Sequence, residues 1–325
     1  MEFENIESYL RKGWYISFDD KFIDPVNVKT LSRAAYREVR SRFKKKVQII
    51  KGARGNNPYE IEGDRVIHRK EDGNILLFDY EESILYRKWA SKDQVDSVKR
   101  GIDTLKHFYN INPVEFFNDT VSKEKLLSGT TLRKASPERL VQVADQIIEK
   151  YYNALAEEVY PIFSPRISPD DFIDAAMKTN YPQEMKDFLG RHQDQAIDLL
   201  SKLRWTWGHS DLTADNIIVL DNSYYIIDIE RCEVLPVGYD LFNLANVLIP
   251  MCQNSVQIKN YFKGKNDELF FHWNKTLKVG DSDRILLLII MIFLKGIVPW
   301  DKKVKGSCPI MLAKRWRNIK LYFPT

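Results

Sequence analysis

The spacing of apolar and polar residues divides the chain into three parts. Up to about Lys46, apolar residues recur at helical spacing opposite an arginine-rich face, which predicts a basic helical N-terminal extension over residues 1–46. Over residues 47–128, short apolar runs alternate with turn signals, as in a β-rich lobe. Residues 129–325 return to helical spacing. The pattern predicts an α+β fold of two lobes, and we expect a ligand site in the cleft between them.

Within the β-rich part we expect three strands, a helix and two more strands. The second half is expected to be mostly helical, with Ile285–Leu294 as a buried helix of a core. The predicted strands span residues 65–70, 75–78, 83–89, 113–117 and 125–127, and the predicted helices span residues 93–109, 137–155, 169–177 and 184–202.

Composition favours an ordinary globular protein. The chain has 44% hydrophobic and 29% charged residues, and its net charge of +4 is too small to favour nucleic acid as a partner of the whole chain. Cys232, Cys252 and Cys308 are widely spaced, which suggests reduced thiols rather than a disulfide framework or a zinc site. The acidic N-terminus does not resemble a signal peptide, so we expect a cytoplasmic protein.

One region departs from this charge balance. Residues 28–54 contain ten Lys or Arg and a single acid, Glu38. A basic helix of this kind can lie on the anionic inner face of a membrane or bind an anionic acceptor. It also leaves a nucleic-acid-binding alternative open, and a merely solvated basic face is equally compatible with the pattern.

Candidate chemistry is concentrated between Gly208 and Glu230. Two short apolar strands flank a turn at Asp221–Ser223, which predicts a hairpin. Asp211 and Asn216 precede its first strand, and Asp228 ends its second. The hairpin brings these three polar groups to the same side, where a carboxylate can accept a proton from a hydroxyl and oxygen ligands can hold Mg²⁺.

The order of these residues resembles a known family. His-x-Asp-Leu-x-x-x-Asn, here His209 to Asn216, followed by a strand ending in Ile-Asp, is similar to the catalytic and metal-binding motifs of the protein-kinase-like fold. Asp228-Ile229-Glu230 fits the Asp-x-Glu form found in aminoglycoside phosphotransferases and choline kinases. Bacterial lipopolysaccharide and capsule sugar kinases have similar loops. The resemblance implies a bilobal kinase-like fold with a small β-rich lobe and a larger helical lobe.

The resemblance also implies roles for individual residues. Asp211 would be the catalytic base, Asn216 and Asp228 would hold Mg²⁺ against the nucleotide, His209 would brace the loop, and Asp240 would fix its backbone. The implied activity is transfer of the γ-phosphoryl group of ATP or GTP to a hydroxyl of a small molecule, cell-surface sugar or glycan.

The nucleotide side departs from the family pattern. The phosphate-binding lysine is assigned to Lys88 on the third strand, with Arg87 as its rival. By resemblance, the link between lobes falls at Leu126–Leu132, so Leu127 and Gly129 are the candidates for pairing with the base.

The glutamate expected on the following helix is missing. Its position falls near Gly101, and Asp96 and Asp103 are the nearest acids. Either acid could substitute for the glutamate, or the lysine could be positioned in another way. A third interpretation is a pseudokinase that acts as a nucleotide-binding or scaffolding module without turnover.

Overall fold

The chain forms two compact units in a computed structural model. The structure describes residue 10 and residues 13–18, 22–25, 47–52, 63–69, 73–248 and 281–297. The first unit comprises the described residues up to Asp96 together with Asn112–Ser128. The second comprises Ser97–Ile111 and the described residues from Gly129 onward. The predicted α+β class is confirmed, because the first unit is rich in strands and the second is mostly helical.

The first unit is built around one antiparallel sheet. Its strands are β1 (Gly13–Phe18), β2 (Phe22–Pro25), β3 (Val47–Gly52), β4 (Arg65–Arg69), β5 (Asn74–Asp79), β6 (Ile84–Lys88), β7 (Val114–Phe116) and β8 (Val121–Lys125). They are ordered β3-β1-β2-β4-β5-β6-β8-β7. Exposure alternates along β6, where Leu85 and Arg87 are buried and Ile84, Tyr86 and Lys88 are half-buried, as period-2 spacing requires.

The helical prediction for the N-terminus is wrong for residues 13–18 and 22–25. These residues form β1 and β2, which pair with each other through register pairs such as Ile16 with Asp24. The segment Gly13–Phe18 is rich in aromatic and β-branched residues, which favour strands, whereas the helical spacing lies further along the chain. The basic part of the predicted extension 1–46, from residue 28 onward, lies outside the described residues.

Two other predictions shift in position. The strand predicted at residues 125–127 lies at Val121–Lys125, after a turn stabilised by Asn118, whose side chain accepts hydrogen bonds from the backbone N–H groups of Thr120 and Val121. The helix predicted over residues 184–202 is two helices that meet at His192, whose backbone is non-helical. Its ring lies against Phe188 and its Nδ1 lies 3.1 Å from Gln195 Oε1.

The second unit contains most of the helices. The helices are α1 (Lys92–Phe108, whose first turn belongs to the first unit), α2 (Pro137–Glu157), α3 (Pro169–Met177), α4 (Gln183–Arg191), α5 (Gln193–Lys202), α6 (Tyr239–Leu248) and α7 (Asp281–Ile297). Ser136 and Ser168 cap α2 and α3, each followed by a proline at the first helical position. Residues 286–294 of α7 are buried, as predicted. No helix in the described ranges is long and apolar enough to cross a membrane.

Two small sheets complete this unit. In one, β10 (Trp205–Gly208) pairs with β13 (Glu233–Pro236). In the other, β11 (Ile217–Val219) lies between β12 (Tyr224–Ile226) and β9 (Thr130–Thr131). The same two sheets are therefore connected twice, once between β10 and β11 and once between β12 and β13. The predicted site residues lie in these two connections.

Candidate active site

The hairpin of β11 and β12 brings the predicted metal ligands together. Ile217 pairs with Ile226, and the Ile227 N–H donates to the Asn216 carbonyl at 3.0 Å. Asn216 is therefore directly opposite Ile227, the residue before Asp228. The apolar residues of both strands are buried in alternation, which fixes the register of the hairpin.

Hydrogen bonds also tie the loop before β11 to this end of the hairpin. The Asn216 Nδ2 donates to the Asp211 carbonyl at 2.9 Å, which orients the amide and leaves its Oδ1 on the opposite side. The Nε2 of the fully buried His209 lies 2.8 Å from the Ile227 carbonyl, which can only accept, so this ring nitrogen donates there as a brace. Asp211, Asn216 and Asp228 thus share one connected backbone framework.

Asp240 holds the backbone on the other side of the loop. This buried carboxylate accepts hydrogen bonds from the His209 and Ser210 N–H groups at 2.6 and 2.7 Å, and the Tyr109 hydroxyl lies 3.4 Å away. Burial raises the pKa of Asp240, and the nearby His209 and the backbone donors oppose the shift. Asn243, one turn further along α6, donates to the Leu212 carbonyl at 3.0 Å.

Two residues of the site have left-handed backbone conformations. Ser210 has φ 73° and Asp228 has φ 66°. This conformation is costly for a residue with a Cβ and recurs at functional sites. At Ser210, the hydroxyl donates to the Arg231 carbonyl at 2.8 Å and so offsets part of the cost.

The donor set fits a magnesium ion. Asn216 and Asp228 offer an amide and a carboxylate oxygen, the hard ligands that Mg²⁺ prefers. In the described part of the chain, no group of three or more His, Cys, Asp or Glu could hold a metal on its own. Mg²⁺ usually takes one or two protein carboxylates and completes its shell with phosphates and water, which matches this small set.

A second acid is buried beside the catalytic loop. Glu233 lies opposite Gly208 in the β10–β13 register and pairs with Arg166. Its Oε1 has no hydrogen-bond partner among the residues that the structure describes. Burial raises the pKa of Glu233 to about 7, although Arg166 opposes the shift. Burial also raises the pKa of the neighbouring Cys232 thiol, so this cysteine is not an activated nucleophile.

The two candidate residues of the predicted link between lobes have different surroundings. Leu127 is half-buried just after β8, and Gly129 is exposed just before β9. A Cβ at Gly129 would lie 2.3 Å from the Val219 carbonyl, so only glycine fits where β9 approaches β11. The pairing of Leu127 and Gly129 with a nucleotide base stays a prediction.

The two strand cations have different surroundings. Arg87 is buried, and its Nη2 lies 3.3 Å from Glu124 Oε1, with side-chain exposures of 6% and 10%. Asn112 donates to the same carboxylate at 3.3 Å. Lys88 is half-buried on the other face of β6. Because Arg87 is already engaged in a buried ion pair, Lys88 stays our assignment for the phosphate-binding cation.

The missing helix glutamate has a steric explanation. A Cβ at Gly101 would lie 2.6 Å from Cys232 Cβ and 3.7 Å from Trp207, so α1 packs closely on the β10–β13 sheet at this point. Asp103 does not replace the glutamate, because it is exposed and pairs with Lys106 at 3.0 Å on the same helix. Asp96 is half-buried on the first turns of α1.

Comparison with known proteins supports the predicted class. Residues 162–275 match the family described as "Phosphotransferase enzyme family" (APH). This segment contains Asp211, Asn216 and Asp228, so the predicted resemblance to aminoglycoside phosphotransferases is confirmed there, and the match supports the predicted phosphotransferase activity. Among curated proteins, none matches the chain.

Several solved structures are similar at low identity. The choline kinase LicA from Streptococcus pneumoniae is 14% identical with a TM-score of 0.44, over 77% of this chain and 90% of that protein. A choline/ethanolamine kinase family protein from Mesorhizobium loti is 14% identical with a TM-score of 0.48, over 80% and 88%. A thermostable mutant of the aminoglycoside phosphotransferase APH(4)-Ia, solved with ADP and hygromycin B, is 14% identical with a TM-score of 0.46, over 80% of this chain and 94% of that protein.

Proposed function

We propose that the protein is a magnesium-dependent kinase that transfers the γ-phosphoryl group of ATP or GTP to a hydroxyl. The observation that carries this proposal is the connected framework around Asp211, Asn216 and Asp228, in which hydrogen bonds hold the Asp211 carbonyl, Asn216 and Ile227, the residue before Asp228. Phosphoryl transfer depends mainly on positioning and charge stabilisation, so a rigid set of one base and two oxygen ligands suits it.

Each residue then has one role. Asp211 accepts the proton of the acceptor hydroxyl as that oxygen bonds to the γ-phosphorus, while the bond from the γ-phosphorus to the β–γ bridging oxygen breaks and ADP or GDP leaves. Asn216 and Asp228 hold the metal, which neutralises charge on the phosphates when bound. Asp240 and His209 keep the loop backbone in place. Lys88 is the proposed cation for the nucleotide phosphates, and Leu127 and Gly129 are the proposed contacts for the base.

The acceptor is proposed at the level of chemical class. A hydroxyl-bearing small molecule or a cell-surface sugar or glycan fits the proposed reaction. The basic stretch over residues 28–54 favours an anionic acceptor, or one made at the inner face of a membrane, over a cationic aminoglycoside. Of this stretch, the structure describes residues 47–52, which form strand β3.

The test is joint stabilisation by nucleotide and Mg²⁺. A ligand at about 100 times its Kd adds roughly 2.7 kcal/mol, which raises the melting temperature of a chain of this size by a few degrees. Asp228→Ala should abolish the Mg²⁺-dependent part of this rise. Asp211→Asn should retain it and lower turnover by about 10²–10⁴-fold with an active acceptor. No rise with ATP or GTP, with or without Mg²⁺ or Mn²⁺, would refute the proposal.

A second candidate is a nucleotide-binding module without turnover. The observation that motivates it is the absence of the expected acid on α1, where Gly101 stands at that position. This candidate predicts that nucleotide stabilises the protein without metal and that Asp228→Ala leaves the stabilisation intact. The same thermal experiment therefore separates the two functions.

A further inference from the structure

We propose that Arg133 is a positioning residue that holds the metal ligand Asn216 in place through Asp215. The inference rests on the proposed function, since it concerns the same metal site. Arg133 lies in the short 3₁₀ turn Leu132–Lys134 that follows β9. Its Nε donates to both carboxylate oxygens of Asp215, at 2.7 and 2.8 Å.

The main chain of Arg133 contributes a second tie to the same loop. Its backbone N–H donates to the Ala214 carbonyl at 3.1 Å. The two residues immediately before Asn216 are therefore both bound to Arg133, one through its side chain and one through its backbone. On the other side of Asn216, β11 pairs with β9, with Ile218 opposite Thr131. Asn216 thus lies between two points of the loop that the same short segment holds.

The energetics separate positioning from stability. The Arg133 and Asp215 side chains are 47% and 54% exposed. Ion pairs this exposed contribute little to folding, because water screens their charges. The β9–β11 pairing does not depend on the Arg133 side chain. Loss of that side chain should therefore leave the fold intact. Its main effect should be that the loop backbone at Asp215 is held less firmly.

The affinity for Mg²⁺ depends on how firmly this loop is held. Mg²⁺ demands near-ideal octahedral geometry, so a small displacement of the Asn216 oxygen weakens its contact. Losing a partner bonded directly to a metal ligand typically lowers metal affinity by about 10–100-fold, and since Arg133 acts through the neighbouring Asp215 we expect the lower end of this range. Loss of the Arg133 side chain should therefore weaken Mg²⁺ binding, so that a higher Mg²⁺ concentration is needed to fill the site. The stability of the ligand-free protein should change little.

The chain offers a matched control. Arg139, on the first turn of α2, donates through Nη2 to the Leu220 carbonyl at 2.8 Å and to the Ser223 carbonyl at 3.4 Å. These carbonyls flank the turn between β11 and β12, at the end of the hairpin opposite Asn216. Arg139 therefore holds the same hairpin from nearly the same segment, but away from the metal ligands.

The experiment is thermal unfolding of the full chain with saturating ATP and increasing MgCl₂. For Arg133→Ala we expect a ligand-free melting temperature within about 2 °C of the wild type and a Mg²⁺ midpoint raised about 10-fold or more. Asp215→Asn should give the same shift, and the double variant should add nothing to it. Arg133→Lys, which keeps a cation near the carboxylate, should recover part of the midpoint. Arg139→Ala should lower the ligand-free melting temperature and keep the midpoint.

The outcomes distinguish this inference from the function on which it rests. A wild type that responds to Mg²⁺, with an unchanged midpoint in both Arg133→Ala and Asp215→Asn, overturns the inference alone. An equal midpoint shift in Arg139→Ala also overturns it, because the effect would then be general loosening of the hairpin. A wild type without any Mg²⁺-dependent rise refutes the proposed function and this inference together.

Discussion

Glu233→Gln should make the stability of this protein less dependent on pH. Glu233 is buried beside Asp240 and paired with Arg166, and burial raises its pKa from 4.5 to about 7. A group with a raised pKa binds its proton more tightly in the folded state. Its contribution to stability is therefore fully present below pH 4.5 and is lost as the pH rises through 7.

The magnitude follows from the two pKa values. Since one pKa unit corresponds to about 1.36 kcal/mol, deprotonation of Glu233 lowers the free energy of unfolding by about 3 kcal/mol between pH 4.5 and 8. A glutamine of the same size stays neutral throughout. The wild type should thus lose up to about 3 kcal/mol relative to Glu233→Gln across this range, with most of the loss between pH 5 and 7.

Urea unfolding at pH 5, 6, 7 and 8 measures this difference. The control is Glu158→Gln, which removes the carboxylate of the Glu158–Arg204 pair; the Glu158 side chain is 35% exposed, against 10% for Glu233. Its difference from the wild type should not change over the same range. A pH-independent difference for Glu233→Gln would refute the reasoning, because Arg166 would then keep Glu233 ionised throughout.

Two further predictions concern α1 and β6. Gly101→Ala should lower the free energy of unfolding by about 1–3 kcal/mol, because the new methyl group overlaps Cys232. Gly190→Ala is the control and should be neutral or stabilising, because its new methyl group meets only the flexible end of a side chain. Urea unfolding of both variants measures the difference. Arg87→Ala should lower stability by about 3–5 kcal/mol by leaving a buried carboxylate unpaired, whereas Lys88→Ala should weaken nucleotide binding at nearly unchanged stability. The opposite ranking in a nucleotide titration would assign the phosphate contact to Arg87.

The sequence predicted those parts of the site that are close together in the chain. Asp211, Asn216 and Asp228 lie around one hairpin, so local spacing alone was enough to bring their backbones together. The hydrogen bonds and ion pairs around them that join distant parts of the chain were not predictable in this way. Asn243 and Leu212 are 31 positions apart, and the Arg166–Glu233 and Arg133–Asp215 pairs are separated by 67 and 82 positions.

The errors have physical causes of the same kind. Spacing in the N-terminal part suggested helix throughout, but β1 and β2 are fixed by pairing with strands that follow much later in the chain. The single helix predicted over residues 184–202 ends early because His192 leaves the helical conformation and contacts Gln195. The spacing of apolar residues does not reveal which other segments a residue will contact in the fold. Those contacts decide whether a short aromatic and β-branched run forms a strand and where a periodic helix is interrupted.

The missing acid of α1 is better explained by packing than by loss of activity. Gly101 faces Cys232 at a distance that excludes any side chain, so this helix is specialised for contact with the β10–β13 sheet. Around the reacting groups, by contrast, the backbone is held in costly conformations at Ser210 and Asp228. Each of these costs about 1–3 kcal/mol and persists only where surrounding contacts enforce it. At Ser210, the hydrogen bonds from the His209 and Ser210 backbones to Asp240 provide that enforcement. A costly conformation enforced in the loop that carries Asp211 is more consistent with the proposed phosphoryl transfer than with nucleotide binding alone.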